Sequence, residues 1–199
     1  AWLSLCVDRG FRRFHFVDNT FNLPPAYARD LCARISEASL NIKWRGILYP
    51  GGVDERLVRA MKQAGCVEVS LGFESGATPT LKALNKRFTL DDIRYAARVL
   101  GEYDIVRMGF LLLGGPGETR STVTESLRFL DYLHLESNQI TMGIRIYPYT
   151  RLADIAYEEG VVAPGDDLFF PRFYMIPHLY EWMKQTVAEW RKDRPHWMV

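Results

Sequence analysis

Several short stretches of the chain alternate apolar and polar residues with a period of two. Each is followed by a segment whose apolar positions recur at helical spacing. This pattern predicts five strands: Phe11 to Asp18, Ile42 to Pro50, Val67 to Ser75, Val106 to Gly114 and Asn138 to Pro148. One intervening helix spans about Ala26 to Ala38, entered through Pro24 and Pro25. Another starts near Val53, with Asp54 and Glu55 in its first turn and Gly65 at its stop. After the third strand the helical segment breaks at Phe88-Thr89, where Thr89 caps a helix through DDIRYAARVLGEY. TRSTVTESLRFLDYLHL forms the helix after the fourth strand. Beyond Pro148 come a short helix at RLADIAYEEG, an irregular aromatic loop at GDDLFFPRFYMIP and a last helix at HLYEWMKQTVAEWRK, stopped by Pro195. Its Tyr180, Trp182 and Trp190 are expected to pack on the preceding domain.

Strands alternating with helices predict a parallel sheet. The strand faces narrow this further. In the third strand Glu68, Ser70, Gly72 and Glu74 share one side, and Val67, Val69, Leu71 and Phe73 the other. In the fifth, Thr141, Gly143, Arg145 and Tyr147 oppose Ile140, Met142, Ile144 and Ile146. A flat sheet covered on both sides is apolar on both faces. One polar or small face, strand after strand, fits a barrel whose interior holds a polar ligand. The expected fold is therefore α/β, a partial TIM-like (β/α) barrel of about five parallel strands with a C-terminal helical extension. Residues 1–150 form the barrel and 151–199 the extension. An incomplete barrel leaves an open edge, and open edges invite pairing, so a dimer through that edge is expected.

Composition bounds the rest. The 199 residues are 48% hydrophobic and 25% charged with a formal net charge of +1, enough for one real core and no global field toward nucleic acid or lipid. No apolar run approaches the length of a membrane span, and AWLSLCVDRG lacks the form of a signal peptide. Cys6, Cys32 and Cys66 are too widely spaced for a metal motif and fit a reducing cytoplasm. Each reads as a small buried hydrophobe. His15 is expected on the packed side of its strand against a helix, and His134, His178 and His196 lack ligand spacing.

Candidate chemistry concentrates at two strand ends, LGFESG (Leu71 to Gly76) and FLLLGGPGET (Phe110 to Thr119). Each is an apolar strand breaking into a glycine-containing turn with one glutamate, Glu74 or Glu118. In a parallel α/β barrel that junction is where chemistry sits. No GK[ST] follows the second turn, so it is not a phosphate loop.

At these residues the chain resembles the radical S-adenosylmethionine enzymes, in the catalytic barrel of their cobalamin-associated branch. The stretches carrying the resemblance are FHFVDNTFN, KWRG, VDERLVRAMKQAGC, VSLGFESG, LLLGGPGET and RIYPYTRLADIAYEEG, from about Phe11 to Gly160. The resemblance implies a partial (β/α)6 barrel, a [4Fe–4S] cluster held by a CxxxCxxC loop, and reductive cleavage of S-adenosylmethionine to a 5′-deoxyadenosyl radical that acts on a small-molecule substrate. It also implies cobalamin in a separate domain of the parent protein. This chain has no CxxxCxxC, and its first strand matches the family's second. Either the cluster segment lies upstream of Ala1 or the homologue is degenerate; the intact remaining motifs favour the first, and the chain by itself is expected to be inactive.

The resemblance places Asp18 near the amino group of S-adenosylmethionine, the alternative being a turn aspartate. It places Glu74 and Ser75 at the ribose and methionine moiety, compatible with an ion pair of Glu74 to Arg45 or Arg145. Gly114, Gly115, Pro116 and Gly117 match the turn approaching the adenine side, and Glu118 is expected to cap the following helix. Arg145 either holds a ligand carboxylate or pairs with Glu74. No catalytic residue and no metal ligand is assigned. The competing readings are a cluster-free TIM-barrel lyase and a nucleoside-binding module.

Overall fold

The computed structural model describes residues 2–199. Helix α1 (Trp2–Asp8), which the hydrophobic pattern did not reveal, precedes β1 (Arg13–His15). The chain continues through α2 (Pro25–Glu37), β2 (Lys43–Leu48), α3 (Glu55–Gln63), β3 (Cys66–Glu74), α4 (Thr78–Ala83) and α5 (Leu90–Glu102). Then come β4 (Val106–Leu113), α6 (Arg120–Leu133), β5 (Ser137–Met142), β6 (Ile144–Ile146) and α7 (Arg151–Glu158). Last are β7 (Arg172–Tyr174), α8 (Tyr180–Arg191) and β8 (Trp197–Met198).

Six strands make one sheet in the order β1-β2-β3-β4-β5-β8, and β6 and β7 form a separate antiparallel pair. The expected α/β fold with a parallel sheet is what the chain adopts. Local chemistry sets the helix starts. Asp54 Oδ1 accepts the Leu57 N–H at 2.7 Å and caps α3, and Thr89 with Asp92 forms a reciprocal capping box at α5.

The strand faces behave as their alternation predicts, with one correction. Trp44, Gly46 and Leu48 of β2 and Val69, Leu71 and Phe73 of β3 are buried, while Glu68, Ser70, Gly72 and Glu74 are partly exposed. Val67, expected on the apolar face, is 37% exposed. The register explains it: Trp44 pairs with Cys66 but Arg45 pairs with Glu68, so Val67 is the extra residue of a bulge and Cys66 takes the core side.

Further expectations fail. β1 is three residues long, and His15 is exposed rather than packed under a helix. The fifth strand does not run to Pro148. Gly143, at φ +92°, breaks it into β5 in the main sheet and β6, which pairs with β7 through Ile144–Tyr174, Arg145–Phe173 and Ile146–Arg172. The aromatic loop thus supplies a strand. The C-terminal tail supplies another, β8 pairing with β5 through Asn138–Trp197 and Gln139–Met198 and covering that edge.

The chain forms two compact units. The first comprises residues up to Phe73, Arg87–Phe110 and Leu133–Ser137; the second comprises Glu74–Lys86, Leu111–Tyr132 and Asn138–Val199. The boundary expected at residue 150 falls inside the second unit. In the first, the Phe16, Phe21 and Trp44 rings cluster with centroids 4.7 to 5.5 Å apart. In the second, Asp131 on α6 accepts the Trp190 indole N–H at 2.9 Å and two Arg194 hydrogen bonds at 2.6 and 2.7 Å, anchoring α8 and the tail. Trp190 packs as expected; Tyr180 is 41% exposed.

Candidate active site

Both glutamate-bearing turns lie in the second unit. β3 ends at Glu74, whose φ of +68° is a left-handed conformation costing about 1 kcal/mol or more for a residue with a Cβ. The next residue, Ser75, is fully buried. Its hydroxyl hydrogen-bonds the Ser126 hydroxyl at 3.0 Å and accepts the Ala77 N–H at 3.1 Å, and Ser126 Oγ accepts the Gly76 N–H at 3.0 Å. A Cβ on Gly76 would collide with Phe129 of α6. Ser75, expected beside a ligand, holds the turn through these hydrogen bonds.

The Glu74 side chain is 19% exposed and pairs with Lys86 Nζ at 3.4 Å. Neither arginine proposed from the sequence is its partner. Arg45 faces Glu68 at 3.8 Å, and the exposed Arg145 lays its guanidinium over the Tyr147 ring, 4.9 Å from the centroid. Burial pushes the Glu74 carboxyl above the ordinary glutamate range, with the Lys86 ammonium pulling partly back.

The second turn, Gly114 to Gly117, is built around Glu118, which is 2% exposed. Its Oε2 accepts the backbone N–H of Gly114, and that of Gly115 at 3.1 Å. Oε1 is buried without a protein partner among the described residues. Glu118 was expected to cap α6, but that work falls to Thr119 and Thr122, each of whose hydroxyls accepts the other's N–H, at 3.2 and 3.0 Å. Burial pushes the Glu118 carboxyl up, and the two N–H donors pull it back in part. Gly114 has φ +97°, and a Cβ there would meet the Met175 thioether. The Gly143 N–H donates to Leu113 O at 2.7 Å and the Ile176 N–H to Gly114 O at 2.9 Å. The β6–β7 segment therefore clamps the turn.

A cavity of about 470 Å³ opens beside this turn, walled by Leu112, Gly115, Pro116, Ile144, Arg151 and Ile155 among others. It is apolar with a few convergent polar groups, the usual make-up of a small-molecule site. Arg145 does not line it; Arg151 does. The sequence signal for Arg151 is its place directly after Thr150, the N-cap of α7, whose hydroxyl accepts the Ala153 N–H at 3.2 Å.

Asp18 belongs to the first unit, in the loop after β1, and is exposed. Among the described residues it takes part in no hydrogen bond or ion pair. The loop is fixed by Asn22, fully buried, whose side chain donates to Tyr49 O and accepts Tyr49 N–H, both at 2.9 Å. Sequence reasoning passed over Asn22 although it closes the FHFVDNTFN stretch.

Among the described residues no three His, Cys, Asp or Glu side chains gather as a metal site. Burial pushes the Cys32 thiol up to about 12 and the Cys66 thiol up as well, away from the thiolate form that binds iron. These cysteines do not fit a cluster.

The Radical SAM superfamily matches residues 2–130. An uncharacterized methyltransferase of Pyrococcus horikoshii is 30% identical over 158 residues, 79% of this chain and 34% of that protein. An anaerobic magnesium-protoporphyrin IX monomethyl ester cyclase of Cereibacter sphaeroides is 35% identical over 75 residues, 38% of this chain and 12% of that protein. The radical S-adenosylmethionine methyltransferase TsrM from Kitasatospora setae, solved with cobalamin and a [4Fe–4S] cluster bound, superposes with a TM-score of 0.85 at 20% identity, covering 99% of this chain and 47% of that one. The chain thus spans about a third of the first relative and about half of the solved enzyme.

Proposed function

The chain belongs to the radical SAM superfamily, whose enzymes use S-adenosylmethionine and a [4Fe–4S] cluster, and on that premise we propose that it carries the adenosyl-binding part of such an enzyme. The observation that carries this reading is the glycine turn held open by Glu118 beside an apolar cavity. A nucleoside base fits a wall of Leu112, Ile144 and Ile155, with the backbone of Gly115, Pro116 and Gly117 approaching its edge. Glu74, a desolvated carboxylate on the other turn and outside the cavity's lining, is the acceptor proposed for the two ribose hydroxyls. Arg151, which lines the cavity, is better placed for a ligand anion than Arg145. When bound, S-adenosylmethionine supplies a sulfonium whose carbon–sulfur bond breaks on one-electron reduction.

The cluster is assigned to ligands other than Cys6, Cys32 and Cys66, and the chain alone is proposed to be inactive. Methyl transfer with cobalamin bound in another domain is the proposed reaction class of the parent enzyme, supported by the methyltransferase relative and the likeness to TsrM. Three free thiols fit a cytoplasmic setting, and no helix among the described residues is long and apolar enough to cross a membrane. Pairing of two copies through β1 is proposed with a cost built in, because that edge is only three residues long and carries Arg13 and His15. A monomer by light scattering at high concentration ends that part.

The test is an NMR titration of the chain with S-adenosylhomocysteine. The expected Kd is on the order of 1 mM, about −4 kcal/mol, because the cluster that anchors the methionine end is absent. Shifts should centre on Glu74, Gly114, Gly115 and Arg151. Absence of shifts there at saturating ligand overturns the adenosyl reading. A chain that took up iron and sulfide anaerobically and cleaved S-adenosylmethionine would overturn the assignment of the cluster elsewhere.

A further inference from the structure

A second cavity, about 630 Å³, lies wholly in the first unit at the start of β1, β2 and β3, and its lining is basic. Arg13 and His15 on β1, Lys43 and Arg45 on β2, and Glu68 on β3 line it, with the bulged Val67 beside them. The register sets basic side chains next to each other: Arg13 lies opposite Lys43, a pair of like charges, and His15 lies opposite Arg45. Neighbouring strands are about 4.8 Å apart, and like charges directly across them are destabilising. The one acid in the lining, Glu68, meets Arg45 at 3.8 Å. Among the described residues Arg13, His15 and Lys43 make no ion pair.

Edge protection explains only part of this. A charged, short edge strand discourages pairing, which covers Arg13 and His15 on β1. It does not cover Lys43 and Arg45, because β2 lies inside the sheet between β1 and β3. An arrangement of basic side chains that repel one another and converge on a cavity is relieved by an anion. The cations are three permanent ones and an imidazole against a single carboxylate, so one negative charge is too few to balance them.

We propose that the cavity at the start of β1–β3 binds a small polyanion, a phosphate ester or a polycarboxylate, through Arg13, Lys43 and Arg45, with His15 as a further donor. The site shares no residue with the glycine-turn cavity and stands whether or not that cavity takes an adenosyl group. Arginine suits bidentate contact with carboxylate or phosphate oxygens, and lysine adds a point charge.

The chain is titrated with inorganic phosphate and, separately, with citrate, each against sodium chloride matched in ionic strength. Side-chain NMR signals of His15, Arg13 and Arg45 and the melting temperature are followed. The expected result is saturable shifts and a rise in melting temperature beyond the chloride control. A response to phosphate marks a phosphate-ester site, and a response to citrate a polycarboxylate site. Lys43→Gln should weaken binding by about tenfold. The same substitution should leave the anion-free chain at least as stable as wild type, because it removes a repulsion. Arg13→Gln provides the same two readouts independently. Absence of a response to both anions, or an undiminished response in both variants, overturns the proposal.

Discussion

The carboxylate of Glu118 closes on the backbone N–H of Gly114, four residues upstream, and takes the N–H of Gly115 with the same oxygen. One buried side chain thus shapes the whole turn. Glu118→Ala would strand two N–H groups in the interior, at about 3 kcal/mol. Glu118→Gln keeps an acceptor oxygen and should cost about 1 kcal/mol. Urea denaturation of both variants measures this; an alanine variant as stable as wild type would mean that the turn stands without Glu118.

The same burial gives stability a pH dependence of known sign. Glu118 and Glu74 both titrate above the ordinary glutamate range because burial disfavours their charged forms. The folded chain therefore holds these protons more tightly than the unfolded chain. Their contribution is fully present below the unfolded value, about 4.3, and is lost as pH rises through the raised folded values. Glu118→Gln cannot titrate. Wild-type stability relative to this variant should therefore fall as pH is raised from 4 to 8, read as urea midpoints. A difference moving in favour of wild type over that range contradicts the assignment.

Much of the fold was legible because the deciding forces are local. Thr89 announced a helix start through its own cap, Asp54 marked another although it was read inside the first turn and proves to be the cap, and the alternation from Glu68 to Glu74 announced a sheet with one polar face. What stayed hidden depends on distant partners. No local pattern distinguishes Arg172–Tyr174 or Trp197–Met198 as strands; each exists because β6 or β5 offers an open edge. The Val67 bulge arises from register with β2, which alternation within one strand cannot report. In the candidate site, the two turns were readable from glycine and glutamate at strand ends. The roles inside them were not. Ser75 and Glu118 turned out to hold the backbone, and Lys86 and Arg151 entered through tertiary placement.

Gly114 is under two separate constraints, its positive φ and the Met175 thioether lying over it. Gly114→Ala should cost about 1 to 3 kcal/mol. Met175→Ala in the same chain makes room for the new methyl but leaves the backbone strain. A double-mutant cycle should therefore show a partial rescue. Full rescue would mean that the backbone angle costs nothing, and no rescue that Met175 is not the obstacle.

Glu74 combines a strained backbone with a mostly buried carboxylate. It holds a left-handed backbone, and its carboxylate is mostly buried with one lysine for company. Glu74→Gly removes the strain at a modest entropic cost, so thermal stability should change by less than about 1 kcal/mol. The S-adenosylhomocysteine shifts should vanish in the same variant. A strongly destabilised Glu74→Gly chain would make the Lys86 pair structural and remove the argument for a ligand role.

Asn22 offers the sharpest test of how the Asp18 loop is held. Its amide bridges both backbone groups of Tyr49 at the end of β2, fully out of water. Asn22→Ala leaves a buried donor and a buried acceptor without partners and should cost about 3 kcal/mol. Asn22→Asp still accepts the Tyr49 N–H but sets a carboxylate against the Tyr49 carbonyl, so it should also destabilise, and more at pH 7 than at pH 3, where the added carboxyl is protonated and can donate. Hydrogen exchange at the Tyr49 and Phe21 amides localises the effect, since Phe21 N–H donates to Ile47 O at 2.7 Å in the same loop. Faster exchange confined to these amides in Asn22→Ala supports a local clamp. Unchanged exchange would show that the aromatic cluster of Phe16, Phe21 and Trp44 fixes the loop without it.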